Sequence, residues 1–331
     1  MHIDEIFKKL EIKKEEYKDL HVIRGFSSFA AISNGKVIAM TDPWMKYCPL
    51  FNMLYNRLDD HDIPAIKNHL KEALQGKIEK FGSFTPRREL SREDIAVPYG
   101  ASEMMMYALK KGGIDAAVVV CDGAGTVICD EPQLVQGIGA RMNGLFYTTP
   151  IPEVIRGIEN QKGIVVFPDS ACIDQITGLR GAARKGYKKI AVTINGSTDD
   201  DISVLPDIER EYGIVAIIII VCTTGITQER IEQIARYADL VWSCASDRVR
   251  ESIGRISVLQ LSKGIPVFVL TRKGLDFASH YASDPTLIRD LDTQKQYLIA
   301  GNIKGIPLQM GNMSTYISES ELPVRSPLEP R

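Results

Sequence analysis

The most uniform apolar stretch of the chain runs from Tyr212 to Gly225 as YGIVAIIIIVCTTG, in which nine apolar residues end at Cys222 and give way at once to Thr223, Thr224 and Gly225. A continuous run rich in Ile and Val predicts a strand covered by helices on both faces, because a half-exposed strand would alternate apolar with polar residues. It is too short to span a membrane. Shorter apolar runs recur from Gly100 onward at residues 115–121, 145–148, 164–167, 189–194, 240–244 and 266–270. Helical spacing fills the gaps: Ile231, Ile234, Ala235 and Ala238 follow a Thr227 cap, and Val249, Ile253 and Ile256 follow Ser246. Strand and return helix in alternation predict a mainly parallel, doubly wound α/β sheet over residues 92–310, with right-handed crossovers.

The first 91 residues follow a different pattern and predict a smaller α+β part. Asn34-Gly35, between VIRGFSSFAAIS and KVIAM, suits a type I′ hairpin, since both residues tolerate positive φ. Trp44, Tyr47, Cys48, Pro49 and Phe51 crowd a short segment, Pro64 opens a helix ending near Gly82, and residues 84–98 read as a solvated connection. Near the other end, YLIAGNIKGIPLQMG supplies edge strands and residues 311–331 an extended, Pro-rich tail.

Composition narrows the partners more than the fold. With 40 basic and 42 acidic residues the net charge is −2, which gives no electrostatic reason to expect nucleic acid or a membrane surface. The charged N-terminal segment lacks the apolar core of a signal peptide, so the expected location is the cytoplasm. Six cysteines in 331 residues are too few for a disulfide scaffold.

Parallel strands bring their carboxyl ends to one edge, where ligands bind in open α/β sheets. Cys121 is followed there by Asp122-Gly123-Ala124-Gly125, and a strand ending at Phe167 by Pro168-Asp169-Ser170-Ala171-Cys172. Cys222 precedes Thr223-Thr224-Gly225, and Cys244 precedes Ala245-Ser246-Asp247. Thiols converging from separate strands, with Cys48 closing over them, would hold zinc or an iron–sulfur cluster. Equally, the glycines Gly123, Gly125 and Gly225 and the hydroxyls of Thr223 and Thr224 sit where free backbone N–H groups attract an anion, with Asp122, Asp169 or Asp247 as general acid or base. The bland alternatives are buried, inert thiols and ordinary helix caps. Met104-Met105-Met106 reads as core filling, and GIGARMNG, with Arg141 within it, departs from a dinucleotide fingerprint in its third glycine.

CDGAGTVI at 121–128, PQLVQGIGARMNGL at 132–145, TTPIPEVI at 148–155 and CPL at 48–50 together resemble the methanogenesis marker protein 8 family. The resemblance implies an archaeal, anaerobic setting. It further implies an accessory protein that matures, activates or modifies methyl-coenzyme M reductase, with the reductase or its maturation proteins as partners. It supplies no residue roles. Binding of a metal cluster or thiol ligand at the strand edge, action on a phosphorylated or sulfonated small molecule, and non-catalytic scaffolding all remain open at this point.

Overall fold

The computed structural model describes residues 2–48, 62–140 and 144–325. Helix α1 (Ile3–Leu10) lays Ile6, Phe7 and Leu10 against a sheet begun by β1 (His21–Gly25), β2 (Ser28–Ser33) and β3 (Lys36–Met40). Asn34 and Gly35 take φ of 49° and 67°, as the I′ hairpin requires. The sequence reading made one strand of residues 22–33, but a second reversal with Phe26 at φ 59° splits it into β1 and β2. Helix α2 (Ile63–Phe81) opens with Pro at its first turn, is capped by the Asp62 carboxylate, and stops at Gly82 in the left-handed region.

The alternating part continues with α3 (Ala101–Lys110), β4 (Ala116–Cys121), β5 (Gly125–Cys129), α4 (Pro132–Gly139), β6 (Gly144–Thr148), α5 (Pro152–Asn160) and β7 (Ile164–Val165). Next come α6 (Gln175–Arg184), β8 (Lys189–Asn195), α7 (Leu205–Tyr212), β9 (Val215–Val221), α8 (Gln228–Tyr237) and β10 (Leu240–Trp242). The chain then runs through α9 (Asp247–Gly254), β11 (Leu259–Leu261), β12 (Val267–Val269), α10 (Arg272–Ser279) and α11 (Thr286–Arg289) to β13 (Tyr297–Ala300), β14 (Ile306–Met310) and β15 (Met313–Glu319). Among the described residues the strands form a four-stranded sheet, β3-β2-β1-β6, and an eleven-stranded one, β14-β15-β13-β11-β12-β10-β9-β8-β4-β5-β7.

The long apolar run is β9, and it is covered on both faces. Ile218 and Ile220 meet Leu179, Leu205, Ile231 and Ile234 on one side, while Ile217 and Ile219 share the other with Met104, Met105, Ile138 and Phe277. The methionine triplet is core, as read.

The expectation of a mainly parallel sheet is corrected. Six of the ten pairings in the large sheet are antiparallel. The reason is connection length. A link of a few residues can only reverse the chain, whereas a parallel return needs a dozen or more. Asp122-Gly123-Ala124 folds β5 straight back on β4, residues 262–266 do the same between β11 and β12, and Gly311 turns β14 into β15. Parallel order survives where full helices intervene, in the central block β4-β8-β9-β10. The predicted strand at 145–148 does not join this sheet. As β6 it pairs antiparallel with β1, which sets Arg24 opposite Gly144 and hangs the small sheet over the carboxyl ends of the central strands.

Candidate functional site

Parallel order in the central block brings the ends of β8, β9 and β10 together, and the side chains there come from distant parts of the chain. Past β9, Cys222 adopts φ 59°; past β10, Cys244 adopts φ 49°. Left-handed backbone is uncommon for a residue with a Cβ, and here it turns both strands sharply at the same edge. The Thr223 hydroxyl donates to the Trp242 carbonyl at 2.7 Å and ties the two strand ends to each other. At the end of β8, Asn195 accepts from the Ser197 N–H at 3.0 Å, while its buried Nδ2 has no partner among the described residues.

Arg24 enters this edge from β1. Only 6% exposed, it donates to Ser197 Oγ and the Thr224 carbonyl at 2.8 Å each and to the Cys222 carbonyl at 2.6 Å. All three acceptors are neutral. Among the described residues no carboxylate lies within ion-pair distance of its guanidinium. Its guanidinium also stands over the Phe146 ring, 5.9 Å from the centroid, and a buried charge without a counter-ion is costly. The Cys222 thiol is one candidate counter-charge. Burial pushes it up to about 11, Arg24 beside it pulls it down, and Cys244 pushes it up again.

The walls are close. A Cβ on Gly144 would stand 2.9 Å from Cys222 Sγ and 3.7 Å from Asn195 Nδ2, so only glycine lets β6 approach the thiol this nearly. Gly225, at φ 77°, lies under Trp44, whose ring would be 3.9 Å from a Cβ there. On the far side Arg250 donates to the Cys244 carbonyl at 2.8 Å. Burial holds the Arg250 guanidinium below its ordinary value, against the opposing pull of Asp247, Tyr47 and Cys244.

The other residues singled out from sequence divide differently. Cys121 and Asp122 end β4 but face inward. Asp122 is fully buried, pairs with Arg88 Nε at 2.9 Å and accepts from the Phe84 N–H. Burial alone would raise its carboxyl, but Arg88 and these hydrogen bonds outweigh that and hold it below the usual range. Arg88 also donates to the carbonyls of Gly137 and Ile138, so residues 84–90, read as a solvated connection, carry a buried anchor. The Asp122-Gly123-Ala124-Gly125 turn is filled by protein: a Cβ on Gly123 would meet Ile151, and one on Gly125 the Ala171 carbonyl. The Gly123 N–H donates to Thr148 Oγ1 and the Ala124 N–H to the Cys121 carbonyl.

Asp169 is exposed, and exposed Asp247 pairs with Arg325 at 3.2 Å. Cys172 is exposed, and Cys48 packs against Ile66 and Leu70 of α2. The edge therefore gathers Cys222 and Cys244 and leaves Cys48, Cys121 and Cys172 in other surroundings. Among the described residues no three His, Cys, Asp or Glu side chains are grouped as a metal ion would need. Pro49, Phe51 and Arg141 lie outside the described residues.

Arg24, Gly144 and Asn195 escaped the sequence reading as site residues. The available signal was a guanidinium inside the otherwise apolar HVIRGF segment, a position that costs too much unless the charge is used.

Residues 21–282 match a family model described as an uncharacterized protein conserved in archaea (DUF2099). An uncharacterized protein of Methanocaldococcus jannaschii is 39% identical over 278 residues, spanning 80% of this chain and 92% of that protein. No solved structure matches.

Proposed function

The chain belongs to this archaeal DUF2099 family, and from that premise we propose that it binds a small anionic molecule, of the thiol-bearing kind, at the edge where Arg24 meets Cys222. The observation that carries the reading is the buried Arg24 guanidinium held by three neutral oxygens, with Asn195 Nδ2, which has no partner among the described residues, beside the same thiol. A sulfonate, phosphate or carboxylate would satisfy both donors, and the ligand's sulfur would reach Cys222 or Cys244. In the setting that the resemblance to methanogenesis marker protein 8 supplies, the protein is an accessory factor of methyl-coenzyme M reductase, and its ligand a sulfonated or phosphorylated thiol.

Thermal melts with 2-mercaptoethanesulfonate, inorganic phosphate and sulfate test the binding. A ligand at a hundred times its dissociation constant stabilises the folded state by about 2.7 kcal/mol, and that gain should vanish in Arg24→Met. Equal stabilisation of wild type and Arg24→Met would refute the site.

A further inference from the structure

We propose that the hollow between Lys9 and Trp44 binds a planar aromatic ring bearing a negatively charged group. The site lies beyond the Arg24 edge and stands on observations of its own. Lys9, Phe29, Thr41, Asp42 and Trp44 line an open cavity of about 250 Å³. Small-molecule sites usually occupy about 300–1,000 Å³, so this one suits a single ring system rather than an extended ligand.

Trp44 is 47% exposed, although an indole has more apolar surface to hide than any other side chain. It is nevertheless held from both ends. Before it, the Phe29 N–H donates to Thr41 Oγ1 and the Thr41 N–H to the Phe29 carbonyl, both at 2.9 Å. After it, the Met45 N–H donates to Ser27 Oγ at 3.1 Å, and that hydroxyl donates to the Met45 carbonyl at 3.3 Å. The Phe29 ring backs the indole at 5.6 Å between centroids, and Phe146 backs Phe29 edge-on at 5.5 Å. An aromatic surface fixed in this way and left exposed is pre-organised for stacking, because little freedom remains to be lost on binding.

Charge selects the ligand. Lys9, exposed on α1, reaches over the same Phe29 ring with Nζ 5.8 Å from its centroid, and among the described residues it pairs with no carboxylate. The acid of the lining, Asp42, is already matched by Lys67 at 2.9 Å. One uncompensated positive charge therefore stands beside the stacking surface. A ring carrying a phosphate or carboxylate answers both features.

The full-length chain is titrated with AMP, adenosine or ribose 5-phosphate while acrylamide quenching of tryptophan fluorescence is followed. Of the two tryptophans, Trp242 is buried, so the quenchable signal belongs to Trp44. AMP should shield Trp44, adenosine should bind about fivefold more weakly, and ribose 5-phosphate should leave the quenching unchanged. Lys9→Gln, a surface change, should bring AMP down to the affinity of adenosine. Quenching unmoved by AMP, equal affinities of AMP and adenosine in wild type, or shielding by ribose 5-phosphate as strong as by AMP would each overturn the assignment. Shielding by AMP should persist in Arg24→Met, so a failure of the anion reading at the edge leaves this pocket standing. Shielding lost in that variant would move the ligand to the edge and overturn the pocket.

Discussion

Two buried arginines in this molecule live under opposite conditions. Arg88 meets the Asp122 carboxylate at 2.9 Å and caps the carbonyls that end α4, so its charge is matched and its donors are spent. Arg24 is as deeply buried, yet among the described residues it pairs with no carboxylate: it donates to two carbonyls and a hydroxyl and stands over the Phe146 ring. The first arrangement is what a structural anchor needs. The second leaves a positive potential beside a thiol, and a fold retains that cost where a ligand relieves it. A buried charge therefore points to function when its counter-charge is missing.

The contrast is most easily broken by mutation. Asp122→Ala strands Arg88 and should cost about 3–5 kcal/mol in chemical denaturation, whereas Arg24→Met should cost under about 1 kcal/mol or stabilise the ligand-free protein. Equal losses would erase the difference. The pH dependence follows with its sign. Because the folded state holds the Asp122 carboxyl below its ordinary value, the pair's stabilisation is present above the unfolded value of about 3.9 and is lost as pH falls through the lower folded one.

Glu103 shows the reverse sense and a somewhat smaller effect. Burial pushes its carboxyl up to about 7, against the hydrogen bond from Tyr281. Its contribution is full below the unfolded value of about 4.3 and is lost as pH rises through about 7, a change of about 3–4 kcal/mol. Urea melts at pH 4.5 and 8 should show it in wild type and not in Glu103→Gln.

Gly144→Ala sharpens the comparison at the thiol itself. A methyl 2.9 Å from Cys222 Sγ should cost about 1–3 kcal/mol and slow iodoacetamide labelling of Cys222, measured by peptide mass mapping. The smallest effect is kinetic. Labelling of Cys222 should climb toward pH 11, and Arg24→Met, which removes a cation that lowers the thiol, should slow it about tenfold at pH 8.5. Unchanged labelling would separate Arg24 from the thiol.

Local pattern carried the central strands, the Asn34-Gly35 turn, the methionine core and the placement of Cys222 and Cys244 at strand ends. The antiparallel insertions were hidden because a reversal depends on the length of a link, and an apolar run of three residues looks the same in either direction. Asp122 drew notice as a polar residue at a strand end. Its role is settled by Arg88, 34 residues earlier in a segment that looked solvated. Arg24 is 173 residues from Ser197 and 198 from Cys222, so nothing local announced the edge they share.

The central claim is that an anion completes the shell around Arg24. A crystal structure grown with selenate places the test at that atom. The account predicts an anomalous selenium peak whose oxygens accept from the Arg24 guanidinium and Asn195 Nδ2. A carboxylate of the chain itself in that position, with the anion elsewhere, would contradict it.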